Sequence, residues 1–358
     1  MRSFSRTRVV LTTTAVALAA MVAACSSPPP PPPPPVVQAP PPPPPITLSS
    51  SVVERASAFR GYMARASQVS PTFQNGEQIQ TSLKIGAAYE TKSFMNGAVA
   101  YAAVLALQDP TFVASVREVA ANPTQRQEMV NNIFSNPSYA TVFKGSDSAA
   151  GLIIDTIGGD GLKVFMAGKA VKQAAYDVQK ATWSKSAVVD RDGRLASTKS
   201  LSTSPALAES ADVAVLQQAS MGGQSLGLTP RAAAAPYSPV VIRGLAVAAL
   251  AALGAAGDNN LSAIDALSTD PATGSCLNMA KLNLYQCLAV SKPHYEDIFC
   301  LGQHILIDTG ACMIKAAGAT VPPEPPKLLP VKETIATKGA GSNSRKAKTA
   351  AKKPVKKG

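Results

Sequence analysis

Four cysteines, Cys276, Cys287, Cys300 and Cys312, cluster near the C-terminal end of a 358-residue chain. Thiols so placed either oxidise in pairs or hold a metal. Cys276 and Cys287 are eleven apart, about three helical turns, and Cys300 and Cys312 are twelve apart, a third of a turn more. Each pair therefore lies roughly on one face of its own helix, and Ser291-Lys292-Pro293 supplies a break between the two. Two antiparallel helices could then be stapled twice, Cys287–Cys300 near the turn and Cys276–Cys312 at the far end. The other two connectivities stay open. Closing a loop of this size contributes about 2–4 kcal/mol.

The metal alternative draws on the only two histidines, His294 and His304, since Cys300-x3-His304 has ligand spacing. Against it, an oxidising compartment consumes the thiolates first, so neither a metal nor a cofactor is expected. Gly223-Gln224-Ser225-Leu226-Gly227 matches the G-x-S-x-G nucleophile elbow, with a histidine and Asp265, Asp297 or Asp308 as imaginable partners. That motif needs a strand before it and a helix after it, and here it sits in Gly/Ser-rich sequence with no βαβ pattern. Gly161 to Lys169 has the wrong glycine spacing for a P-loop, and Ala170 stands where Ser or Thr is required. No acidic pair stands out as an acid/base couple. The chain is read as non-enzymatic, with a hydrolase using Ser225 as the alternative.

A third chemistry is electrostatic. The net charge of +12 is concentrated at residues 331–358, which hold nine Lys or Arg against one acid, Glu333. Outside this tail and the first 24 residues, 22 basic residues face 21 acidic ones, so the rest is about neutral. Arg345, Lys346, Lys348, Lys352, Lys353, Lys356 and Lys357 are the candidate polyanion-binding residues. The tail resembles histone-like Lys/Ala/Pro tails, which bind nucleic acid in a cytoplasm.

The N-terminus decides the compartment. Arg2, Arg6 and Arg8 precede an apolar, Ala- and Thr-rich stretch from Val9 to Val22, the layout of an export signal. Val22-Ala23-Ala24-Cys25 closes it and resembles the lipobox of bacterial lipoproteins. That resemblance implies removal of residues 1–24 and a diacylglycerol on the Cys25 thiol, with a further acyl chain such as palmitate on its amine. Two or three chains hold a protein to a membrane effectively permanently. Ser26, where an Asp would imply inner-membrane retention, implies the outer membrane. Export agrees with reading the even cysteine count as disulfides. It also replaces nucleic acid, as the tail's expected partner, with peptidoglycan or another anionic envelope polymer. Some outer-membrane lipoproteins join peptidoglycan through a C-terminal Lys; with Gly358 last, a reversible electrostatic contact is expected instead.

The remaining elements read as helices. Residues 28–45 hold fourteen prolines, a polyproline II spacer. Residues 48–186 read as one all-helical domain, opened by a capping box at Ser51 and Glu54. Asp109-Pro110, Asn122-Pro123 and Asn136-Pro137 mark three further helix starts, and Gly158 to Gly161 a turn before a longer helix to Trp183. Residues 187–238 read as a Ser/Ala/Gly-rich linker with one weak helix. A second helical unit spans 239–318, beginning with an Ala/Leu helix that ends at Gly257 and including the four-Cys hairpin. That hairpin is similar in architecture to twin-Cys coiled-coil-helix-coiled-coil-helix proteins, whose gaps are nine residues where this chain has ten and eleven. Residues 319–358 read as a disordered basic tail. An aromatic content of 5% within 46% hydrophobic residues implies a core of Ala, Val and Leu. The fold class expected is all-α. The expected role is structural or interactive in the cell envelope, with a polyanion- or DNA-binding surface lipoprotein as a further alternative.

Overall fold

The computed structural model describes residues 42–323, and Cys25, the signal, most of the proline run and the basic tail lie outside the described residues. The described fold is all-α. Its helices are α1 (Ser50–Ser67), α2 (Gly76–Ala87), α3 (Thr91–Ala106), α4 (Pro110–Ala120), α5 (Pro123–Ser135), α6 (Ser146–Asp177) and α7 (Thr182–Lys185). They continue with α8 (Arg191–Leu201), α9 (Ser210–Ser220), α10 (Pro239–Ala252), α11 (Leu261–Leu267), α12 (Pro271–Val290), α13 (His294–Cys300) and α14 (Asp308–Ala316). A π turn, Leu301–Ile307, makes α13 and α14 one continuous helix.

Local signals set several boundaries. Asp109, Asn122 and Asn136 each accept backbone N–H bonds from the turn that follows, with Pro at the first position. The third start opens only a 3-10 turn, Pro137–Val142. The Ser51–Glu54 capping box does not form: α1 starts two residues earlier, at Ser50, and Ser49 at its cap turns its hydroxyl to Asp258 at 2.5 Å. Helix α10 stops at Ala252, short of Gly257. Gly254 takes φ +75°, and Ala255 N–H returns to Leu250 O at 2.7 Å. This is a Schellman ending, in which glycine relieves the left-handed residue of a Cβ clash.

The two expected helical units share one core. Helix α3 packs between α1 and α10, and one buried cluster runs from Val53 through Ala98–Ala106 to Val240–Leu253 and on to Leu277, Ile298 and Met313. The apolar faces of α3 and α10 are almost wholly buried, because each meets small side chains on the other. The tightest aromatic packing is one knot, in which Tyr62, Tyr89 and Phe94 lie within 4.9 Å of one another by ring centroids. The Tyr62 hydroxyl donates to Gly86 O at 2.7 Å.

Gly158 to Gly161 do not form a turn. They lie inside α6, a continuous helix of 32 residues. Gly161 and Gly168 sit where α6 crosses the α13–α14 helix. A Cβ on Gly161 would come within 2.9 Å of Ile314 N, and one on Gly168 within 2.6 Å of Ile307 N. From the opposite helix, a Cβ on Gly310 would meet Phe165 N at 2.6 Å. These glycines admit close backbone approach.

Residues 187–238 are not a free linker either. Val188 N–H donates to Lys292 O at 2.8 Å. Arg191 donates to Ser291 O and Ala289 O at 2.8 and 2.9 Å, and Arg194 donates to Leu288 O. The last carbonyls of a helix have no partner within it. Here the segment opening α8 supplies the donors for α12. Further on, Leu216 and Ala219 of α9 are fully buried.

Of the described helices, only the continuous His294–Ala316 is by itself long and apolar enough to cross a membrane, and its most apolar window is 72% buried within the fold. Helices α3 and α4 meet that measure only jointly, and they bend by 89°.

Candidate functional site

The four cysteines form two disulfides, Cys276–Cys312 and Cys287–Cys300, with Cα–Cα distances of 5.8 and 5.6 Å. Asp270 caps α12 by accepting Thr273 N–H at 3.1 Å, and Ser291 to Pro293 break the chain before α13. The hairpin is thus stapled beside its turn and at its open end.

The turn end of this hairpin meets the C-terminal end of α6, and a groove of about 370 Å3 opens between them. Tyr176 in the last turn of α6 and Gln179 in the 3-10 turn that follows it form one wall, while Tyr295 and Phe299, four apart on α13, form the other. Val290 at the end of α12 and the Cys287–Cys300 bridge complete it. Tyr176 and Phe299 meet edge to face at 6.3 Å, and the Lys172 ammonium lies 5.8 Å from the Phe299 ring centre.

Behind the groove is a buried ionic knot. Arg194 and Asp297, 2% and 0% exposed, form an ion pair, and Ser291 Oγ donates to Asp297 Oδ1 at 2.7 Å. Burial pushes the Asp297 carboxyl above its ordinary range, opposed by the Ser291 hydrogen bond and Arg194. Asp297 Oδ2 and Arg194 Nε have no hydrogen-bond partner among the described residues. A second buried cation, Lys281, donates to Tyr89 O and to Ser202 O at 2.8 Å, and its ammonium lies 4.1 Å from the Tyr89 ring centre. Burial lowers its pKa to about 8, with Glu90 pulling the other way.

The sequence candidates fare unequally. Cys276, Cys287, Cys300 and Cys312 come together in the hairpin. His294 packs its ring on Gly76 and lies 6.3 Å from Trp183, while His304 Nδ1 faces Asp308 Oδ2 at 3.2 Å. No three His, Cys, Asp or Glu side chains among the described residues converge as a metal site. Ser225 is exposed in an irregular stretch after α9, its Oγ accepting Gly227 N–H at 3.1 Å. No strand precedes it, so the elbow that would raise its nucleophilicity is not formed there. Cys25, Arg345, Lys346, Lys348, Lys352, Lys353, Lys356 and Lys357 lie outside the described residues. The groove residues Tyr176, Gln179, Tyr295 and Phe299 carry no local motif. Their one sequence signal is helical spacing of aromatic and amide side chains on two segments over a hundred residues apart.

No family model, curated protein or solved structure matches the chain.

Proposed function

We propose that this chain is a lipid-anchored cell-envelope protein of the outer membrane, facing the periplasm. Its role is structural or interactive: it tethers the membrane to peptidoglycan or to an envelope complex. The observation that carries the reading is Val22-Ala23-Ala24-Cys25 closing an export signal. Two disulfides in the fold accord with an oxidising compartment.

The geometry of the fold's two ends supports a tether. At the N-terminal end, Pro44 O accepts from Arg117 at 2.9 Å and Thr47 N–H donates to Ala251 O at 3.0 Å, at the end of α10. At the C-terminal end, Ser238 Oγ, at the start of α10, donates to Ala316 O at 2.5 Å. The 14 residues of α10 separate these points by about 21 Å. The segment bearing Cys25 and the one bearing the lysines therefore join the fold at opposite ends of one helix.

The test is co-sedimentation of the soluble protein of residues 26–358 with purified peptidoglycan across a salt series, beside a 26–330 truncation. Binding that weakens with salt or with loss of the tail supports the tether. No binding by either form sinks the peptidoglycan reading and leaves an envelope protein as the partner. Retention of the full chain in membranes after Cys25→Ser would sink the lipid anchor.

A further inference from the structure

We infer that the exposed face of α12 is a self-association surface, on which a second copy of this chain lays its own α12 antiparallel.

Two features set this face apart. First, it carries no charge. Lys281 is the one charged residue in the 20 residues of α12, and its side chain is buried against Tyr89 O and Ser202 O. Met279 and Leu282 are nonetheless 54% and 46% exposed. By contrast, the exposed Leu162 and Met166 of α6 stand beside Lys163 and the Asp160 it pairs with, the ordinary pattern of a solvated helix face. Second, the exposed residues are spaced as a seam. Ala272, Ser275, Met279, Leu282, Gln286 and Ala289 follow one another at intervals of 3, 4, 3, 4 and 3. That is the interval of a helix that pairs with another helix along its length.

The symmetry of the seam selects a second copy as the occupant. Its intervals read the same in both directions, so a two-fold axis between Ala280 and Lys281 sets each seam residue against another. Ala272 then meets the partner's Ala289, Ser275 meets the partner's Gln286, and Met279 meets the partner's Leu282. Small side chains face small, polar face polar, and apolar face apolar. This is the isologous arrangement, in which residue i of one copy meets j of the other and j meets i. Two identical faces oppose like charges wherever they carry any, and this one has none to oppose. The core of an interface is depleted of charge and enriched in Met, with polar groups at the rim. Lys199, 5.8 Å from the Tyr285 ring centre, lies on that rim. A helix lying on a membrane surface carries Lys or Arg on its polar face, and α12 exposes neither. The two disulfides fix α12 in place, so little ordering opposes association. The seam runs about 26 Å along a single helix. A strip of that size makes a weak, reversible dimer and not an obligate one.

The experiment is cross-linking of the full chain by a short bis-maleimide in the cells that make it, with the parent chain as the control for Cys25. Ala272→Cys and Ala289→Cys are produced singly and then together, in separate copies of the chain. In the antiparallel pair position 272 lies opposite position 289 but about 26 Å from its own counterpart. A cross-linked dimer that appears only when both variants are present supports the inference. Met279→Glu in both copies should cut that cross-link about tenfold or more, because it places an unpaired carboxylate in the seam. Met279→Glu in one copy with Leu282→Lys in the other should restore it. All four positions are exposed, so the purified variants should melt with the parent. No cross-link above that of the parent overturns the inference. So does a cross-link from Ala272→Cys alone, which means parallel pairing, or one indifferent to Met279→Glu, which means contact through another surface. Neither result bears on the peptidoglycan tether, which the co-sedimentation tests separately.

Discussion

Cys300 and Cys312 face the same partner helix although twelve residues separate them, because the π turn Leu301–Ile307 lies between them. A π-bulge adds a residue to a helix without adding a turn. The interval of twelve therefore behaves as eleven, the interval between Cys276 and Cys287 on α12. The glycines repeat the relationship on the other side of the same helix. Gly302 and Gly310 are eight apart across the π turn, and they oppose Gly161 and Gly168 on α6, which are seven apart. One extra residue thus satisfies two interfaces together.

Deleting Gln303 from the π turn should restore an α-helical register and keep both interfaces. Inserting one Ala after Asp308 should rotate Cys312 by about 100° and break the distal staple. Thiol titration and peptide mapping would find two disulfides in the deletion and free thiols in the insertion. Loss of the staple would lower stability by about 2–4 kcal/mol. Free thiols in the deletion would show that the π turn is not the register device.

Two glycines of α6 should respond oppositely to the same substitution. Gly168→Ala drives a Cβ against the backbone of Ile307, so it should destabilise by about 1–3 kcal/mol. Gly159 lies in the same helix with nothing within 4 Å of the added methyl. Gly159→Ala should therefore stabilise by about 0.5–1 kcal/mol through backbone entropy alone. Chemical denaturation of both variants decides it, and a stable Gly168→Ala would contradict the close crossing.

The contrast between these glycines shows what could be read in the sequence. The caps at Asp109, Asn122 and Asn136 and the cysteine intervals were legible because their partners are a few residues or one hairpin away. Gly158 to Gly161 read as a turn because glycine signals either a turn or a close approach, and the deciding partner, Ile314, is over 150 residues on. Residues 187–238 read as a linker because polar, Ser-rich sequence carries no apolar period. What orders them is hydrogen bonding from Arg191 and Arg194 to the end of α12. The groove was not legible, since Tyr176 and Phe299 meet only after α6 packs on the hairpin.

Lys281 makes stability depend on pH in a defined direction. Its folded pKa of about 8 lies below the unfolded value of about 10.4, so the unfolded chain binds more protons between the two. Unfolding free energy should therefore rise as pH climbs through 8 toward 10, by up to about 3 kcal/mol from this residue. Above 10 the buried Tyr62 and Tyr89, whose pKa values burial raises, reverse the trend, because only the unfolded chain ionises them. Denaturant titrations at pH 7.5, 9 and 10 should show the rise in the parent and its loss in Lys281→Met. Parallel curves for the two proteins would exclude this source.

The Arg194–Asp297 pair should behave as a unit. Both side chains are buried, so removing one leaves an uncompensated charge, and Asp297→Ala should lose about 3–5 kcal/mol. Arg194→Met should lose a similar amount and also strip Leu288 O of its donor at the end of α12. In Arg194→Met/Asp297→Leu no charge remains to desolvate, so the double variant should lose less than the sum of the single ones. A double-mutant cycle by denaturant unfolding measures the coupling. Strict additivity would mean that the α12–α13 turn rests on the Cys287–Cys300 bridge and its backbone bonds, and that the ion pair adds no cooperative hold on it.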